Sequence, residues 1–133
     1  MINILIFTSL IFTTNIINAI YYKNYLYSLL FLGLTLSSIL FHSNSNILTN
    51  IIDKIFIISI ILYGSYIIFN KTNKNNYLLS LIVIIAFLLC MVLYVYGYCF
   101  NQFCFSDNYN YSQYSHALIH LISSFGHNLI IIL

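Results

Sequence analysis

Polar interruptions divide this chain into about five apolar runs, each close to the ~20 residues that a helix needs to cross a bilayer. That pattern leaves few alternatives. In hydrocarbon every backbone polar group must be satisfied within the protein, so isolated runs of this length cross as helices. A soluble chain also needs a polar surface, with about 25% of its residues charged. Here only 5% are charged and 62% are hydrophobic. The expected fold is an all-α integral membrane bundle of about five transmembrane helices, a single domain over 1–133. Its helices are expected at about 2–20, 25–42, 47–69, 77–98 and 112–133. A net charge of +2 without a basic cluster excludes a nucleic-acid partner.

The first run has the length of a signal peptide but no lysine or arginine ahead of its apolar core. It is expected to be a retained helix, with cleavage after Ala19 as the alternative. Tyr21, Tyr22 and Lys23 suit a membrane interface, the tyrosines at headgroup depth and the lysine snorkelling. In the second run, Gly33, Thr35, Ser37 and Ser38 would let a neighbouring helix come close. Residues 43–46 (SNSN) form a tight turn. Residues 70–76 and 101–111 are the other polar loops. Cys99 and Cys104 flank the last loop and can pair in an oxidising compartment, whereas Cys90 reads as a small hydrophobe.

The chemistry concentrates at one membrane face. His116 and His120 are four residues apart, so a helix places both imidazoles on one side, a turn apart. Two such histidines can grip one metal ion, or each can simply hydrogen-bond a neighbouring helix. Each crossing reverses direction. The end of the second run therefore shares a face with the start of the third and the start of the fifth. His42, Asp53, His116 and His120 come to that face from three helices, and Ser38 lies one turn before His42. Aspartate at a helix centre costs roughly 2.5–3.5 kcal/mol in a membrane, and such groups are usually functional. Three histidines with an open position make the ligand set of a catalytic zinc site. Asp53 also has Lys54 beside it as a salt-bridge partner. His127 lies seven residues past His120, about 10 Å deeper. It is expected to hydrogen-bond a neighbouring helix. Lys23, Lys71 and Lys74 lie at the opposite face against Lys54 alone. The positive-inside rule then puts the histidine face toward the lumen or exterior, in an endomembrane (ER- or Golgi-like) or the cell membrane.

The residues Ser38 and His42 in SSILFHS, Asp53 at the start of the next helix, and His116 and His120 in HALIHL occur in a familiar order. That order resembles the membrane hydrolase superfamily of alkaline ceramidases, adiponectin and progestin receptors, hemolysin III-like proteins and GPI-lipid remodelling factors. The resemblance implies that His42, His116 and His120 bind Zn2+, with Ser38 and Asp53 beside the metal and its water. It implies a shortened member of a seven-helix fold. Loss of two helices between the aspartate and the H-x-x-x-H pair preserves parity. A second copy or a partner subunit would then complete the pocket walls.

The expected activity is zinc-dependent hydrolysis of a membrane lipid, at a ceramide-like amide or a phospholipid ester. Asp53 would move the proton of the attacking water, and Ser38 would hydrogen-bond the developing oxyanion or orient the water. Two other readings remain. One is a non-catalytic scaffold or subunit whose polar residues lock helices together. The other is a haem protein with two facing histidines as axial ligands.

Overall fold

The computed structural model describes residues 3–71 and 76–133. Among them every regular element is helical. The order is α1 (Ile4–Ser9), α2 (Phe12–Tyr21), α3 (Tyr25–Ser43), α4 (Ile47–Lys71), α5 (Tyr77–Met91), α6 (Gly97–Phe100) and α7 (Tyr109–Ile132). A π-helical turn over Val92–Tyr96 joins α5 to α6, and a 3-10 turn over Phe103–Phe105 follows. These elements make five spans long and apolar enough to cross a membrane: Ile4–Tyr21, Tyr25–Ser43, Ile47–Lys71, Tyr77–Phe105 and Tyr109–Ile132.

The first span is two helices rather than one. Thr8, Ser9, Thr13 and Thr14 all donate their hydroxyls back to carbonyls three or four residues earlier. Such bonds compete with the regular ladder and bend a helix, here at Leu10 and Ile11. The α2–α3 turn is a Schellman motif. Lys23 is left-handed (φ 57°), Asn24 N–H donates to the Ala19 carbonyl, and Lys23 N–H donates to the Ile20 carbonyl. Asn24 then caps α3, its side chain accepting from Tyr27 N–H. At the next turn Asn46 and Thr49 cap reciprocally, each side chain accepting from the other's backbone N–H.

The fourth span runs further than its apolar pattern indicates. Hydrogen bonding continues through the π turn and α6 until Asn101, left-handed at φ 53°, ends it. The polar loop expected at 101–111 is correspondingly short. Asn108 already caps α7, its side chain accepting from Tyr111 N–H. The three cysteines are free thiols, so Cys99 and Cys104 are unpaired. The expected start of the first helix at residue 2, and Lys74 with most of the 70–76 loop, lie outside the described residues.

The bundle packs α2 on α3, α3 on α4, and α7 on α1, α2 and α5. Gly33 permits the α3–α4 approach, because Phe56 of α4 fills the place where its Cβ would stand. Phe12, Phe31, Leu34, Ile60 and Ile130 form the apolar centre. Large apolar side chains cover the outside as well, among them Leu29, Leu36, Ile58, Leu78 and Phe125. A surface of that kind faces hydrocarbon, and the chain is a multi-pass integral membrane protein.

Candidate metal centre

α3 delivers His42 in its last turn, and α7 delivers His116 and His120 one turn apart. The three rings meet. Centroids are 5.0 Å apart for His42 and His116, 5.5 Å for His42 and His120, and 5.0 Å for His116 and His120. One nitrogen from each lies within 4.8 Å of the others. Each neutral imidazole offers one lone pair, so three gathered at that spacing could hold a metal ion.

Two further observations fit a bound ion. His42 Nε2 is buried and has no hydrogen-bond partner among the described residues. A buried polar atom of that kind costs about 1–3 kcal/mol unless something pairs with it. Thr8 Oγ1 lies 3.0 Å from His120 Nδ1. The same hydroxyl is 3.0 Å from the Ile4 carbonyl. With its one hydrogen there, the oxygen accepts from Nδ1–H and leaves the Nε2 lone pair of His120 for a metal. α3 is also tied down beside the cluster, where Asn3 Nδ2 donates to the His42 carbonyl at 3.0 Å. That carbonyl lies in the final turn of the helix, where intrahelical partners run out.

Asp53 is buried in the second turn of α4. It pairs with Lys54 Nζ at 3.5 Å and accepts from Ser37 Oγ at 3.3 Å. The salt bridge weighed from the sequence is therefore made. Ser37 rather than Ser38 bonds the carboxylate, because adjacent helical residues point about 100° apart. Ser38 Oγ instead meets Ser9 Oγ of α1 at 3.0 Å. Both groups still reach the site. Ser38, Asp53, His116 and His120 line one cavity of about 390 Å³. That cavity runs between α4 and α5 with α7 behind it, and isoleucine is the commonest residue of its walls. Lys54 and Tyr94 flank its histidine end, the ammonium 5.3 Å from the tyrosine ring centroid.

His127 makes the hydrogen bond to a neighbouring helix expected of it, through Nδ1 to Tyr27 Oη of α3. Facing rings separated by a porphyrin are not what the structure holds. His42 and His116 touch edge to face, with no gap for a haem.

The sequence pattern alone did not single out Thr8, Ser9 or Asn3. A signal was present: the first apolar run carries Thr8 and Asn15 seven apart, and Thr14 and Asn18 four apart. Those intervals put polar groups on helical stripes that need partners in hydrocarbon.

No protein-family model matches this chain, and neither does any curated protein or solved structure.

Proposed function

We propose that the chain is a zinc-dependent intramembrane hydrolase of lipid acyl amides or esters, a shortened relative of the ceramidase-like superfamily. One observation carries the reading. His116 and His120 share a lipid-sized cavity with a buried carboxylate and a serine hydroxyl, and His42, clustered with them, carries an orphaned buried nitrogen.

His42, His116 and His120 would hold the ion, and Thr8 would fix the tautomer of His120. An ion held there would supply Lewis acidity, the chemistry that brings the pKa of water to roughly 7. The remaining work belongs to the chain. Asp53 takes a proton from the attacking water on a carboxylate oxygen and returns it to the leaving amine or alcohol. Ser37 and Lys54 hold that carboxylate in place. Ser38 Oγ–H turns from Ser9 toward the oxygen that gains charge. The apolar walls contributed by α4, α5 and α7 take the acyl chain and keep bulk water away. By the lysine balance, Lys23 and Lys71 lie cytoplasmic, and the site opens to the lumen or exterior of an endomembrane or the cell membrane.

A second reading has its own observation. Asn15, Asn18, Ser124 and Asn128 join α2 to α7 through side-chain hydrogen bonds, as a scaffold would need. Metal analysis separates the two. Detergent-purified protein is expected to carry about one zinc per chain, and His116→Ala and His120→Ala are each expected to lose it. Zinc-free protein that is properly folded would end the hydrolase reading and leave the scaffold.

A further inference from the structure

Beyond the histidine cluster the cavity holds a second polar group, which the proposed hydrolysis does not use. His127 follows His120 by seven residues, about 10 Å further along α7, and lines the same cavity. Its Nδ1 is committed to Tyr27 Oη. The mount is rigid. Tyr27 is fully buried, Tyr63 packs edge-on against it, and Phe31 packs edge-on against the His127 ring. Gly64 leaves the room: a Cβ there would stand 2.7 Å from Tyr27 Oη.

Tyr27 Oη has no other hydrogen-bond partner among the described residues, so its O–H donates to Nδ1 and the imidazole hydrogen resides on Nε2. That atom has no hydrogen-bond partner among the described residues. Unlike His42 Nε2 it is not sealed within protein, and the His127 ring lines the cavity. The wall between the two ends is largely apolar, with Ile57, Ile60 and Ile119 along it and the small hydroxyl of Ser123 among them. A lone donor in such a groove is costly unless the occupant brings an acceptor.

We infer that His127 is a recognition point for a hydroxyl or carbonyl oxygen carried midway along a lipid acyl chain whose head lies at His116 and His120. The inference rests on the reading that this cavity takes the lipid substrate. Only a chain-shaped molecule puts one polar group at the histidine end and a second about two helical turns away, with an apolar stretch between them.

The test is binding rather than turnover. Displacement of a fluorescent fatty acid from the detergent-purified protein would compare stearate, 3-hydroxystearate and 10-hydroxystearate. 10-hydroxystearate is expected to bind roughly fivefold to tenfold tighter than the other two, the yield of one hydrogen bond. His127→Phe should erase that preference and leave stearate binding unchanged. Equal binding of all three by the native protein would overturn the inference and leave the cleft intact. So would a preference that survives His127→Phe. Binding of none of them would remove the lipid cleft itself, and the inference with it. The native series decides the matter even if the variant does not fold.

Discussion

Thr8 shows how much can depend on one hydroxyl. It stands 3.0 Å from His120 Nδ1 and comes from a helix that contributes none of the three clustered histidines. Outer partners of metal-bound histidines typically matter 10–100-fold. Thr8→Val is therefore expected to weaken zinc binding by about 10–100-fold in a chelator competition, with Thr8→Ser close to native. Asp53 gives the complementary test. Asp53→Asn keeps the shape and removes the proton acceptor. Lipid hydrolysis should fall by about 10²–10⁴-fold while zinc content stays the same. Unchanged turnover in that variant would remove Asp53 from the chemistry. The shared face of His42, Asp53, His116 and His120 is legible in the amino-acid sequence, because helical period and the alternating direction of the spans place them together. Their partners are not. Whether Ser37 or Ser38 meets the carboxylate depends on how α3 is rotated against α4, which a repeat of small residues at 35, 37 and 38 does not specify.

At the scale of elements, the bundle is fastened by a polar seam between α2 and α7. Asn15 Nδ2 donates to the Ser124 carbonyl at 2.9 Å, and Ser124 Oγ donates to Asn15 Oδ1 at 2.6 Å. One turn on, Asn18 Nδ2 donates to Asn128 Oδ1 at 3.1 Å, and Asn128 Nδ2 donates to Thr14 Oγ1 at 3.0 Å. In lipid such bonds between helices average about 0.6 kcal/mol and reach about 1.7 kcal/mol. Asn15→Leu is expected to destabilise the bundle by about 0.6–1.7 kcal/mol in reversible detergent unfolding. Ser124→Ala should cost a similar amount, and the double variant less than the sum, because both remove the same pair. The seam also gives the first span a structural role, since its hydroxyls and amides reach His42, Ser38, His120 and α7.

For the whole molecule the decisive feature is the opening between α4 and α5. α3 and α4 pack along their lengths, and α5 packs on α7, but α4 and α5 make no extensive contact. The cleft left between them joins the histidine cluster at one end to His127 at the other. Ser65 of α4 lies on its wall. Ser65→Trp is expected to fill the cleft and cut lipid turnover by about tenfold or more, with zinc retained. Loss of zinc in that variant would instead mean that the bundle had rearranged. An open wall of this kind also suits completion by a second copy or a partner.

The amino-acid sequence by itself determined the all-α membrane bundle, its five spans and the face on which His42, Asp53, His116 and His120 meet. Hydrophobic length and the alternation of direction are local properties, and hydrocarbon allows few other solutions. The tertiary structure decided what those groups touch. It set the bend in the first span, the extension of the fourth through Phe105, the Thr8 and Ser9 contacts, the Tyr27–His127 pair and the cleft. Each depends on how helices rotate and approach one another. In a membrane those choices follow small residues, close packing and interhelical hydrogen bonds rather than hydrophobicity, which is nearly uniform around α3, α4 and α5.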